Sequence, residues 1–138
     1  MTTRTILLTG ARGGQGTTTV AAALALYAAG HGATELVTDV PSTAALIGIP
    51  MPVTDESVEV APNLTLVTTA TAFDQPSPQT VVIDAPHGCS VAAAPRADEH
   101  YVVLRGPCYV ALASLLAPTD ERPDGIVDGA SSRRAPIP

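Results

Sequence analysis

Apolar residues along this chain gather in short unbroken runs, separated by turns and by longer alanine-rich stretches. Residues 5–9, centred on Ile6-Leu7-Leu8, read as a buried strand. Residues 17–29 predict a helix, with Gly30 and Gly32 as stop signals. Its apolar positions run nearly all round, which predicts burial on more than one side. Residues 35–40 give a weaker strand, and 41–52 a loop with a helical turn near Ala44-Ala45-Leu46. Further strands are expected at 64–68, at 80–84, at 101–105 and, shortest, at 125–127. A short helix at 91–94 is halted by Pro95, and a longer one spans 109–117. Strand-like runs that alternate with helical segments predict parallel βαβ units. The near-continuous apolarity of the strands predicts an α/β fold whose mostly parallel sheet is covered by helices on both faces. After Pro118 the chain becomes rich in Pro, Asp, Gly, Ser and Arg, so residues 1–118 are expected to form the domain and 119–138 a tail.

Composition narrows this picture. A chain of 138 residues suits one compact domain. With 46% hydrophobic and 14% charged residues it belongs with packed proteins, not disordered ones. Aromatics reach only 3%, so the core must come from Ala, Val, Leu and Ile. A net charge of −6 disfavours non-specific binding to nucleic acid or to an anionic membrane. The N-terminal apolar run is too short for a secretory signal, and no run approaches the roughly 18 apolar residues of a membrane span. Cys89 and Cys108 lack metal-type spacing and read as free thiols. A cytoplasmic location is the expectation.

Two segments carry chemistry. The first is Thr9-Gly10-Ala11-Arg12-Gly13-Gly14-Gln15-Gly16-Thr17-Thr18-Thr19, between the first strand and the first helix. A glycine loop that opens a helix wraps an anion in backbone N–H groups and adds the positive end of the helix dipole. The loop resembles the Walker A pattern G-x-x-x-x-G-K-[ST], with Ala11 at its first glycine and Thr17 at its lysine. The chain has no lysine; all seven basic residues are arginines. The second segment is Asp84-Ala85-Pro86-His87-Gly88, an acid at the end of an apolar strand followed by a turn. Such an Asp holds water on Mg²⁺ while a loop threonine, here Thr18, ligates the metal.

In order, these features resemble the deviant-Walker-A P-loop proteins of the ParA/MinD type. Residues 12–19 resemble K-G-G-x-G-K-T-T, residues 84–88 resemble D-x-P-P-G, and Ala97-Asp98-Glu99 resembles the acidic segment ahead of the next strand. Asn63-Leu64-Thr65-Leu66-Val67 resembles the strand before the Walker B region. The likeness covers roughly residues 4–117 and implies a P-loop fold shortened at its C-terminal end. It also implies ATP or ADP with Mg²⁺ as cofactor, a homodimer, a possible cargo-adaptor partner, and a role in placing a plasmid, septum, cell pole or pilus. Arg12, Gly13, Gly14, Gln15, Gly16, Thr17, Thr18 and Thr19 would hold the nucleotide, and Thr18 and Asp84 the metal. Arg12 stands where the family's signature lysine crosses to the partner's phosphates. Thr17 has no charge for the β- and γ-phosphates, which implies weak ATP binding and weak or absent hydrolysis. The degenerate loop is similar to that of the TadZ/CpaE-like branch. The family's D-x-D-P segment is nearest to Thr38-Asp39-Val40-Pro41, so Asp39 is the catalytic candidate, either as the first acid or between the two acidic positions.

Two other readings stay open. Thr9-Gly10-x-x-x-Gly14-x-Gly16 also resembles the turn of short-chain dehydrogenases, with Asp39 on an NAD ribose, yet no Y-x-x-x-K pair is possible without lysine. The alternative is a degenerate interaction module that binds no nucleotide. His31, His87 and His100 are not clustered, no serine stands in a G-x-S-x-G elbow, and Arg133-Arg134 reads as a solvated pair.

Overall fold

A computed structural model describes residues 3–10, 16–49, 57–68, 78–85, 100–105, 125–128 and 133–135. Its centre is an eight-stranded sheet in the order β3-β4-β2-β5-β1-β6-β7-β8. The strands are β1 (Arg4–Thr9), β2 (Thr34–Thr38), β3 (Ser57–Ala61), β4 (Leu64–Val67), β5 (Thr80–Ala85), β6 (His100–Arg105), β7 (Gly125–Asp128) and β8 (Arg133–Ala135). Six strands from β4 to β7 run parallel, and β3 and β8 pair antiparallel at the two edges. The fold is α/β with a mixed, mostly parallel sheet. Among the central strands, β5 is buried from Val81 to Ala85, which explains its unbroken apolar run Val81-Val82-Ile83, and β2 is buried along its length, with Thr34, Glu35 and Thr38 beside Leu36 and Val37.

Two helices are described, α1 (Thr17–Ala29) and α2 (Pro41–Ile47). Both pack on one face. Val20, Ala21, Leu24, Ala25 and Ala29 of α1 and Ala44 of α2 share a buried cluster with Ile6, Leu8, Leu36, Leu64, Leu66, Val82 and Val102. Small alanines let α1 approach the sheet closely, so a core with few aromatics still fills its space. Val37, Val67, Val81 and Ile83 form a second buried cluster on the other face, with Leu7 against it. Helices on both faces were expected, and the helices expected at 91–94 and 109–117 lie outside the described residues.

Several expectations need correction. Residues 41–47 are a helix, not a loop with one turn. Pro41 takes the first helical position, where its missing N–H costs nothing, and Gly48 closes the helix at φ 90° with its N–H donating to the Ala44 and Ala45 carbonyls. Strand β3 was not expected. It forms a hairpin with β4 across Pro62-Asn63, with Asn63 left-handed at φ 69°. The last short strand expected at 125–127 is β7, which pairs with β6, while β8, which pairs with β7, was not expected.

Candidate functional site

The parallel strands bring their C-terminal ends to one edge. Register places Thr38, Asp84, Leu8 and Leu104 in a single row across β2, β5, β1 and β6. The strand that ends in Asp84 therefore lies directly beside the strand that enters the glycine loop. From β1 the chain crosses by α1 to β2 on one side, and from β5 it proceeds to β6 on the other. In open α/β sheets, such a divergence at the carboxyl ends creates the crevice where ligands bind.

Gly16 begins α1 in the left-handed region, at φ 76° and ψ 15°. A Cβ there would meet nothing within 4 Å, so it is the backbone conformation, not crowding, that selects glycine. No side chain caps this helix and no acidic residue stands in its first turn. The positive end of the helix dipole at this terminus favours negative charge. Thr17 is buried, Thr18 half-buried and Thr19 exposed. Arg12, Gly13, Gly14 and Gln15 lie outside the described residues.

Asp84 is 4% exposed. It shares sequence parity with Val82 on β5, which places it on the α1 side of the sheet. Two buried hydroxyls converge on one of its oxygens. Thr43 Oγ1 donates to Oδ2 at 2.7 Å, and Thr38 Oγ1 donates to the same atom at 3.3 Å. Thr38 and Thr43 are themselves 3.2 Å apart, and the Val40 N–H donates to Thr38 Oγ1 at 3.0 Å. The other oxygen, Oδ1, is buried without a hydrogen-bond partner among the described residues. Burial pushes the carboxyl above its ordinary value of 3.8, and the hydroxyls of Thr43, Thr18 and Thr38 oppose that rise. The Thr18 hydroxyl thus acts on the same carboxylate from the first turn of α1.

An orphaned buried carboxylate oxygen beside a threonine hydroxyl is an all-oxygen donor set. It suits a hard cation that keeps most of its water, which fits Mg²⁺. Thr18 and Asp84 are the residues that would hold it. No cluster of three or more His, Cys, Asp or Glu exists among the described residues, so a soft-metal centre has no donor set there.

The sequence pair Thr18 and Asp84 is brought together. Asp39 is not part of the hydroxyl cluster: it is exposed just after β2, and the side chain that faces Asp84 from this strand is Thr38. Sequence reasoning missed Thr38 and Thr43. The available signal was parity, since Thr38 lies two residues after the buried Leu36, and a Pro41 helix start would have put Thr43 in the first turn of α2. His87, Cys89 and Cys108 lie outside the described residues, whereas His31 is exposed and tilted against Tyr27 with ring centroids 4.8 Å apart.

No family model matches the chain, and no curated protein matches it. No helix among the described residues is long and apolar enough to cross a membrane.

Proposed function

We propose that this chain is a P-loop-type nucleotide-binding protein of the ParA/MinD kind, a positioning protein whose ATP hydrolysis is weak or absent. The observation that carries the reading is the row that puts Asp84, with a buried unpartnered oxygen, beside the strand entering the glycine loop. Phosphate would sit at the N-terminus of α1, cradled by backbone N–H groups up to Thr18. Thr18 and Asp84 would hold Mg²⁺ beside that phosphate. The metal supplies charge neutralisation for the phosphate oxygens. Thr17 can donate one hydrogen bond but brings no charge, so transition-state stabilisation is reduced.

Strand order disfavours the dehydrogenase alternative. Dinucleotide-binding sheets follow the order 3-2-1-4-5-6, with the first two strands adjacent. Here β5 stands between β2 and β1. Asp39 consequently follows a strand about 10 Å from β1, two strand spacings away, not its neighbour.

Calorimetric titration with ATP, ADP and NAD(P), each with and without Mg²⁺, tests the reading. Binding of ATP or ADP that tightens with Mg²⁺ is the expected result. Binding of NAD(P) alone would favour the oxidoreductase reading. No binding of any of the three would leave an interaction module.

A further inference from the structure

The two oxygens of Asp84 are treated differently by the fold. Oδ2 receives Thr43 at 2.7 Å and Thr38 at 3.3 Å, while Oδ1 is buried with no partner among the described residues. Each threonine hydroxyl has one proton to give. Thr43 gives its proton to Oδ2, and Thr38, whose lone pair is used by the Val40 N–H, gives its own to the same oxygen or to Thr43. All three side chains are at most 4% exposed, so water does not compete for these bonds.

We infer that Thr43 and Thr38 form a clamp that reserves Asp84 Oδ2 and leaves only Oδ1 for a cation, so that the site selects Mg²⁺ against Ca²⁺. The inference rests on the proposed cation–nucleotide reading of the site and adds a basis for its specificity. Mg²⁺ is satisfied by a single carboxylate oxygen, directly or through water, with octahedral geometry completed by water and phosphate. Ca²⁺ takes six to eight oxygens and commonly draws both oxygens of one carboxylate. A carboxylate whose second oxygen is held by the Thr43 hydroxyl at 2.7 Å, with Thr38 at 3.3 Å, is turned away from chelating in that way. To offer both oxygens it must break the 2.7 Å bond to Thr43, which would leave a buried hydroxyl unpaired. Thr43 belongs to α2 and Thr38 to β2, so the clamp is built by two elements that carry none of the glycine loop. Both are positioning residues, acting on the cation through Asp84.

The test uses the full chain and ADP as probe, titrated calorimetrically in Mg²⁺ and in Ca²⁺. The wild type should bind ADP more tightly in Mg²⁺ than in Ca²⁺. Thr43→Val keeps the shape and removes the proton; it should lower the Mg²⁺-to-Ca²⁺ affinity ratio about tenfold, the scale of one hydrogen bond to a charged group. Thr43→Ser should retain the wild-type ratio. Circular dichroism and thermal melting check that each variant is folded. If Thr43→Val does not fold, Thr38→Val replaces it, with a smaller fall expected from its longer bond. A folded valine variant with an unchanged ratio overturns the clamp, as does a serine variant that loses selectivity. Wild-type binding that ignores Mg²⁺ would instead remove the cation reading itself, an outcome visible before any variant is made.

Discussion

At the scale of single residues, the chemistry turns on an acid and a missing base. Asp84 is buried, and burial raises its pKa above the ordinary 3.8 despite three opposing hydroxyls. A folded state that holds this proton more tightly than the unfolded chain loses stability as pH rises from the ordinary value through the raised one. Below that window both states are protonated, and above it the full cost of the buried charge is present. Without divalent cation, Asp84→Asn should therefore stabilise the fold at neutral pH by about 1–3 kcal/mol, because it removes the buried charge while its amide oxygen still accepts from Thr43 and Thr38. Melting curves from pH 3 to 8 check this; a variant that melts no higher than wild type at pH 7 contradicts it. Thr17 is the complementary case. Thr17→Lys should restore a charged contact and tighten ATP binding by about 1.5–3 kcal/mol. Equal ATP affinity in the two proteins, measured by calorimetry, would show that Thr17 is not the defect. Asp84 and Thr18 were legible because an acid at a strand end and a hydroxyl after a glycine loop are local patterns. Thr38 and Thr43 were not, because their meaning depends on a strand and a helix arriving beside Asp84 from elsewhere.

Among elements, legibility followed burial. The helix over residues 17–29 was read to its boundaries, because its start and stop are both written in glycine. The strands β1, β2, β4 and β5 were found within one or two residues, since each carries at least two adjacent or alternate apolar residues that are buried. The errors lay at the margins. Pro41 was taken for loop punctuation when it opens α2, and Val58 and Val60 alternate with polar residues in an edge strand that is only half-buried. The cap of α2 provides a test that leaves every site residue intact. Gly48 adopts φ 90°, and a Cβ there meets nothing within 4 Å. Gly48→Ala should cost about 1–2 kcal/mol, the penalty for an L-residue in the left-handed region, with no steric addition. Urea unfolding would read this as a lower midpoint at unchanged slope. An unaltered midpoint would mean that α2 adds little to the cooperative fold.

For the whole molecule, strand order was the least legible feature, because nothing local states that β5 inserts between β2 and β1. That insertion is what puts Asp84 beside β1, the strand that enters the glycine loop, and sets β2, which Asp39 follows, one strand further away. Assembly is the corresponding question of function. Two copies of a chain with net charge −6 repel, and each bound nucleoside triphosphate would add to the repulsion. A nucleotide-linked dimer of the ParA/MinD kind thus needs positive charge at the phosphates, and with no lysine in the chain this must come from arginine. Arg12, in the loop outside the described residues, stands where the resemblance expects the residue that crosses to the partner's nucleotide. A guanidinium fork suits phosphate oxygens and can hold a triphosphate without promoting its cleavage. Dimerisation is therefore expected to depend on Arg12 and to survive the loss of hydrolysis. Light scattering with Mg-ATP should show the wild type shifted toward dimer and Arg12→Ala left monomeric. Raised salt should weaken the arginine contact with the phosphates. A wild type whose mass is the same with and without nucleotide would mean that the fold works without a switch, leaving a docking module whose glycine loop no longer answers to ATP.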